Sequence, residues 1–281
     1  MTSPQPMNYL LSYGAGVNST AMILLIEQTC ALREIFPTMH IVFADTGVEH
    51  PQTVAYLTTI ESYLNERGQR LIRVKAEQTL LEMCQERNFL PSRMSRWCTT
   101  ESKLKPLWDY EKRVFGINPN RNELQVTRFI GIDAGESHRI RHVPQRYAVH
   151  RYPLIEYDLD REACQRLIEK SGLPVPRKSG CYLCPFSARH ELAQLSIEHP
   201  DLFEAMLQLE HTVNATWKVR EAPFHLIQGL PLKKLLEQRD EILARHHNKQ
   251  QKATIQPGLF DALEEEALED KLDALPCLCG R

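Results

Sequence analysis

Leu11-Ser12-Tyr13-Gly14-Ala15-Gly16-Val17-Asn18-Ser19-Thr20 joins a short apolar run to a longer amphipathic one. The pattern repeats: Tyr9 to Ser12, His40 to Phe43 and Arg70 to Lys75 read as strands, with crossover helices at Ser19 to Arg33 and Gln52 to Glu66. A helix from Lys103 to Phe115 leads to a fourth strand at Val126 to Ile132. Short apolar runs alternating with amphipathic helices predict an α/β fold, a doubly wound, Rossmann-like parallel sheet whose ligands bind beyond the C-terminal strand ends.

After Tyr152 the character turns helical, at Asp160 to Ser171, Ala188 to Glu198, Pro200 to His211 and Pro231 to His246. The expected organisation is a nucleotide-binding α/β domain over 1–155, a helical region over 156–246 and a linker with an acidic tail over 247–281. The linker expectation rests on the polar, patternless stretch from His247 to Pro257, and Asp261 to Ala274 reads as an acidic helix or a disordered tail.

In the opening loop, Gly14 and Gly16 let the backbone curl with its N–H groups inward. Ser12, Ser19 and Thr20 add hydroxyl donors at a helix N-terminus, which suits a pyrophosphate. The plainer alternative is a strand-to-helix turn capped by Asn18 or Ser19. The spacing is neither that of the Gly-Lys-Ser P-loop nor that of the Gly-x-Gly-x-x-Gly dinucleotide turn.

Composition narrows the class. Apolar residues are 42% and charged residues 25% of 281, and no apolar run is long enough to cross a bilayer. Met1 to Asn8 lacks the pattern of a secretory signal, so a soluble, cytoplasmic enzyme is expected. The net charge of −2 hides an asymmetry: residues 261–281 carry seven acidic and two basic side chains, which leaves a mildly basic body.

Eight cysteines in a reducing compartment are core residues, nucleophiles or metal ligands rather than a disulfide framework. Cys30, Cys84 and Cys164 fall in helix-like stretches and read as core. Cys98, Cys181, Cys184, Cys277 and Cys279 lie in loop-like sequence. Cys181-Tyr182-Leu183-Cys184-Pro185 presents two thiols on one tight turn, which suits zinc or an iron–sulfur cluster.

Five motifs in order carry a resemblance. The opening loop resembles the PP-loop of the adenine nucleotide alpha-hydrolases. Phe43-Ala44-Asp45-Thr46-Gly47-Val48-Glu49, Arg96-Trp97-Cys98-Thr99 with Lys103 and Pro106, Gly131-Ile132-Asp133-Ala134-Gly135-Glu136-Ser137 with Arg139, and Gly180-Cys181-Tyr182-Leu183-Cys184-Pro185 resemble motifs of their PAPS-reductase-like branch. Together they cover about residues 9–190. Asn18 stands where the family usually has an acidic residue, and Asp133 where it often has Arg.

The resemblance implies an enzyme that binds ATP, or PAPS or APS, with Mg2+. Ser12, Gly14, Gly16, Asn18, Ser19, Thr20, Asp45, Thr46, Gly131, Glu136 and Arg139 would be nucleotide-binding, with Asp45 acting on Mg2+ or the ribose and Arg139 offsetting phosphate charge. Similarity to the sulfur-loading ATPases of DNA phosphorothioation systems implies a 4Fe–4S cluster on Cys98, Cys181 and Cys184, with Cys277 or Cys279 as a fourth ligand or one iron left open. Zinc on the same ligands is the structural alternative.

The expected activity is ATP-dependent sulfur transfer, with AMP and pyrophosphate as products and a nucleic acid or small molecule as acceptor. A cysteine desulfurase would be the implied partner. Two alternatives stay open: a thioredoxin-dependent sulfonucleotide reductase using Cys277 or Cys279, with Cys279 the candidate nucleophile, since the ending Cys277-Leu278-Cys279-Gly280 resembles that of true PAPS reductases, and a non-catalytic nucleotide-binding module with structural zinc. The basic stretch His138 to Arg151 fits the phosphates of the nucleotide or of a nucleic-acid substrate, or a solvated basic surface. Gln256-Pro257-Gly258-Leu259-Phe260 resembles peptides that dock on the bacterial sliding clamp.

Overall fold

The computed structural model describes residues 8–121, 123–140, 145–216, 223–227 and 229–254, with 250–254 as backbone only. Five strands form one parallel sheet in the order β3-β2-β1-β4-β5: β1 Asn8–Tyr13, β2 His40–Asp45, β3 Leu71–Lys75, β4 Val126–Ile130 and β5 Ala148–Arg151. Strand order reverses direction between β1 and β4, which opens a crevice at their C-terminal ends. The glycine loop and Gly131 both lie there.

Side-chain alternation sorts the strands onto two cores. Leu11, Ile41, Phe43 and Phe129 face one side, against α1 (Val17–Gln28), α3 (Pro51–Asn65) and α7 (Arg161–Lys170). Leu10, Val42, Val74 and Val126 face the other, against α5 (Lys105–Phe115). Both faces are covered, as parallel sheets require. Helix α1 is apolar nearly all round, because α7 and the short α6 (Pro153–Glu156) close over its outer side. On the α5 side, Arg128 of β4 grips Glu111 through two hydrogen bonds of 2.7 and 2.6 Å, and both residues are buried. Removing either partner would strand a charge in the interior.

A third core joins the helical region to the sheet. Leu192, Leu195, Phe203 and Met206 of α8 (Arg189–Glu198) and α9 (Pro200–Thr216) pack with Leu232 and Leu235 of α10 (Leu232–Glu237) and with Val48, Leu80 and Cys84 from the α/β part. Glu210 of α9, itself buried, accepts hydrogen bonds from the backbone N–H groups of Leu226 and Leu232 at 3.1 and 2.9 Å, which seats α10.

The sheet and the helical C-terminal region agree with the sequence reading; several elements differ from it. Strand β5 lies within the basic stretch read as a loop, its polar side chains explained by an edge position beside β4 alone. Helix α4 (Leu80–Arg87) was not anticipated, although Thr79 and Glu82 form a reciprocal capping box at its start. The helix read from Ser19 to Arg33 breaks at Thr29, whose backbone is extended, and a short α2 (Cys30–Arg33) follows. Cys30 is consequently exposed rather than a core residue, whereas Cys84 and Cys164 are buried as expected. The helix expected from Pro231 to His246 divides at Gln238, and α11 (Arg239–Thr254) runs on through much of the stretch expected to be a linker. Among the described residues no helix is long and apolar enough to cross a membrane.

Candidate functional site

The glycine loop leaves β1 at Tyr13 and enters α1 at Val17. Its geometry is set by close approach. A Cβ on Gly131 would stand 3.0 Å from the backbone nitrogen of Ser19 and 3.1 Å from its Cα, so the end of β4 lies against the first turn of α1. Ala15 adopts a left-handed backbone, φ 56°, although it is buried and carries a side chain. Held strain of this kind costs an L-residue on the order of 1–2 kcal/mol and marks positions fixed by their surroundings.

The hydroxyls expected to serve phosphate have local partners. Ser19 Oγ donates to the carbonyl of Gly16 at 3.1 Å, and Thr20 Oγ1 lies 3.2 Å from the hydroxyl of Tyr13 in a buried position. Ser12 is half-buried in β1, paired with Val42 and Ile130. The donors left without an intrahelical partner at this end of α1 are the backbone N–H groups of its first turn.

Asn18 is held by three side chains. Its amide nitrogen donates to Asp133 Oδ2 at 2.8 Å and to Glu136 Oε2 at 3.4 Å, while its carbonyl oxygen accepts from Arg161 Nη1 at 3.1 Å. Asp133, 2% exposed, also accepts from the backbone N–H of Glu136 and so caps the 3-10 turn Ala134–Arg139. An acid at position 18 would face two carboxylates. Asn18 and Asp133 are thus matched to each other, with Arg161 as a third member that no motif marks. Arg139 pairs with Glu136 at 2.5 Å in the same turn.

At the end of β2, Asp45 Oδ1 accepts from the N–H of Gly47 at 2.8 Å, which closes an Asx turn. Among the described residues its second oxygen has no hydrogen bond. Gly47 has φ 73° and its missing Cβ would overlap the Thr79 side chain, so only glycine fits there. Thr46 Oγ1 donates to Glu49 Oε1 at 2.8 Å, and the loop then pairs with the cysteine segment: His50 N–H to Gly180 carbonyl at 3.0 Å and Tyr182 N–H to Val48 carbonyl at 2.9 Å. This backbone pairing carries the cysteine loop to the sheet. Ser179 completes the contact, since a Cβ on Gly16 would meet its Oγ at 2.8 Å.

Cys181 and Cys184 stand side by side. Cys184 accepts hydrogen bonds from the Cys181 thiol and from the backbone N–H of Phe186, and these, with Lys103 and Lys178 nearby, make it more acidic than a free thiol against the opposing effect of burial. Cys181 is held protonated by the same bond and by burial. Cys98 is raised by burial and lies within electrostatic reach of Cys184, and Cys84 lies behind Cys98. The sulfur donors are chemically right for iron or zinc, but among the described residues no group of three His, Cys, Asp or Glu side chains is arranged to hold a metal ion. The described cysteines form a pair with a neighbour, not a closed ligand set. Cys277 and Cys279 lie outside the described residues, as do 256–260.

A cleft of about 670 Å³ opens beside the glycine loop rather than over it, with Cys181 and Cys184 in its wall. His50, Lys178, His190, Glu191 and His246 line it. His190 of α8 and His246 of α11 stack at 3.6 Å, nearly parallel. Burial, and then repulsion from His246 and Lys178 partly offset by Glu191, keep His190 more readily neutral than a free imidazole; burial is also the main cause for His50. Sequence reading missed these imidazoles because they come from three distant segments.

No protein-family model matches the chain. It is similar to two proteins of Methanocaldococcus jannaschii. Uncharacterized protein MJ0973 is 22% identical over 256 residues, which is 83% of this chain and 57% of that one. Uncharacterized protein MJ0066 is 24% identical over 212 residues, 69% of this chain and 40% of that one. The chain thus spans about half the length of these curated relatives. Among solved structures, phosphoadenylyl-sulfate (PAPS) reductase from Candida auris, in its phosphate complex, aligns over 64% of this chain and 83% of its own with 14% identity and a TM-score of 0.45. The chain is a doubly wound parallel α/β sheet with a glycine loop and a cysteine pair joined at its switch point.

Proposed function

We propose that the chain is a PP-loop enzyme of the PAPS-reductase-like kind that binds ATP at the glycine loop and delivers sulfur from the neighbouring cysteine pair. The observation that carries this reading is the contact of Gly16 with Ser179, which puts the phosphate loop and the Cys181–Cys184 loop against one another. Amides at the start of α1 hold the β and γ phosphates, Asp45 holds the Mg2+ or the ribose, and Arg139 leaves Glu136 to balance charge at the α phosphate.

An acceptor oxygen attacks the α phosphorus and pyrophosphate leaves. A persulfide on Cys184, loaded by a cysteine desulfurase, then displaces AMP and forms a disulfide to the acceptor. Cys181, which gives up its proton as it attacks Cys184, closes a Cys181–Cys184 disulfide and frees the thiolated product. A dithiol reductant of the thioredoxin class restores the pair. No step runs through a metal.

Calorimetric titration with Mg–ATP tests the first half, with saturable binding expected and a loss of at least about tenfold in Gly16→Val, where the added side chain meets Ser179. Loading with a desulfurase and cysteine tests the second, with one extra sulfur expected on the Cys184 peptide and none in Cys184→Ser. Sulfite release from PAPS would replace this reading by sulfonucleotide reduction. Anaerobically prepared protein with bound iron and sulfide, lost in Cys98→Ala, would place the sulfur on a cluster instead of a persulfide.

A further inference from the structure

Phe186 follows the cysteine turn directly and is 45% exposed at the rim of the cleft. It does not stand alone. The guanidinium carbons of Arg93 and Arg96 lie 5.6 and 5.2 Å from its ring centre, and Arg93 Nε donates to the carbonyl of Pro185 at 3.2 Å. Arg177 lines the same cleft. All three arginines are exposed, and among the described residues no ion pair to a carboxylate is found for them. Lys178, by contrast, is spent on Glu191.

A half-exposed ring with the Arg93 and Arg96 guanidinium groups over it, and Arg177 further along the same cleft, offers a planar surface on which a base can stack and cations for its phosphates. Shape restricts the form of that ligand. Cys184 lies in the wall of a cleft of about 670 Å³, room enough for a single nucleotide but closed to a duplex. A base inside a double helix could not reach it without leaving its stack. The flat His190–His246 pair offers a second planar surface within the same space.

We propose that the rim formed by Arg93, Arg96, Arg177 and Phe186 binds single-stranded nucleic acid, with a base stacked on Phe186 and an unpaired nucleotide directed into the cleft toward Cys184. The inference deepens the sulfur-transfer reading by naming its acceptor class; it rests on that reading for the chemistry at Cys184, but not for the binding.

Fluorescence anisotropy with labelled twelve-residue single-stranded DNA, single-stranded RNA and a DNA duplex tests it on the full chain. Binding of at least one single strand is expected at low salt, at least about tenfold tighter than the duplex. Phe186→Ala should weaken it by about 5- to 100-fold and Phe186→Trp should retain it, since stacking on an aromatic face is the interaction removed and restored. Arg93→Gln and Arg96→Gln should each flatten the salt dependence by about one counterion. The DNA and RNA arms tell the two sources apart. No binding by either strand, equal binding by the duplex, or an unchanged affinity in Phe186→Ala overturns the proposal. Mg–ATP titration of the same Phe186→Ala protein should match the unsubstituted chain. Single-strand binding without ATP binding would sink the proposed function and leave this inference standing, and ATP binding without single-strand binding would do the reverse.

Discussion

The two halves of the site are built in opposite ways. The glycine-loop half is a close fit of backbone on backbone, with Gly131 against Ser19 in the first turn of α1. The cysteine half is a cleft between side chains from the 46–50 loop, the 177–187 loop, α8 and α11. A fit made by main chain tolerates almost no added atom; a cleft made by side chains tolerates many.

The largest effect expected from that contrast compares two glycines. Gly131→Val drives a branched side chain into the backbone of Ser19, which cannot move without unseating α1. A loss of about 2–3 kcal/mol in stability is expected, together with loss of ATP binding. A Cβ on Gly180, in the cysteine loop, would meet nothing within 4 Å. Gly180→Ala should therefore leave chemical-denaturation midpoints within experimental scatter. Equal losses in the two variants would mean that both halves are packed alike and would end the comparison.

Asn18 comes next. Its amide joins Asp133, Glu136 and Arg161, so Asn18→Ala leaves the buried Asp133 with one fewer donor, at a cost of about 1–2 kcal/mol. Asn18→Asp should cost as much or more, because it replaces a donor by a charge facing two carboxylates. Asn18→Asp with Asp133→Asn restores the donor–acceptor match from the other side. Urea unfolding of the two single variants and the double variant checks this, with a favourable coupling of about 1 kcal/mol expected and additivity counting against the matched pair.

What could be read in advance follows the same division. Four strands of the sheet and the glycine loop were legible because apolar alternation and a Gly-x-Gly turn are local patterns. Strand β5 was not, since an edge strand carrying His150 and Arg151 lacks the apolar run of a central one. The capping box of Thr79 and Glu82 was present in the sequence and would have located α4. No local signal points to Arg161, 143 residues from its partner Asn18. Nor does any mark the stacking of His190 on His246, which exists only once α11 folds back on α8. Motifs reveal residues that act through their neighbours in the chain and pass over those that act through the fold.

The smallest effect is expected at Ala15, where three contributions nearly cancel. Glycine there would relieve the left-handed strain, a gain on the order of 1–2 kcal/mol. It would also loosen the unfolded chain, a loss of about 0.4–1 kcal/mol, and remove a buried methyl, a further loss of about 0.8 kcal/mol. Ala15→Gly should therefore shift stability by less than about 1 kcal/mol in thermal unfolding, while Ala15→Val, branched at a positive φ, should cost clearly more. A large loss in Ala15→Gly would mean that the methyl holds the loop by packing. Near-neutrality with weaker ATP binding would mean instead that the alanine stiffens a turn whose shape Gly131 and Ser179 already dictate, and the backbone half of the site would then owe its precision to its surroundings rather than to its own residues.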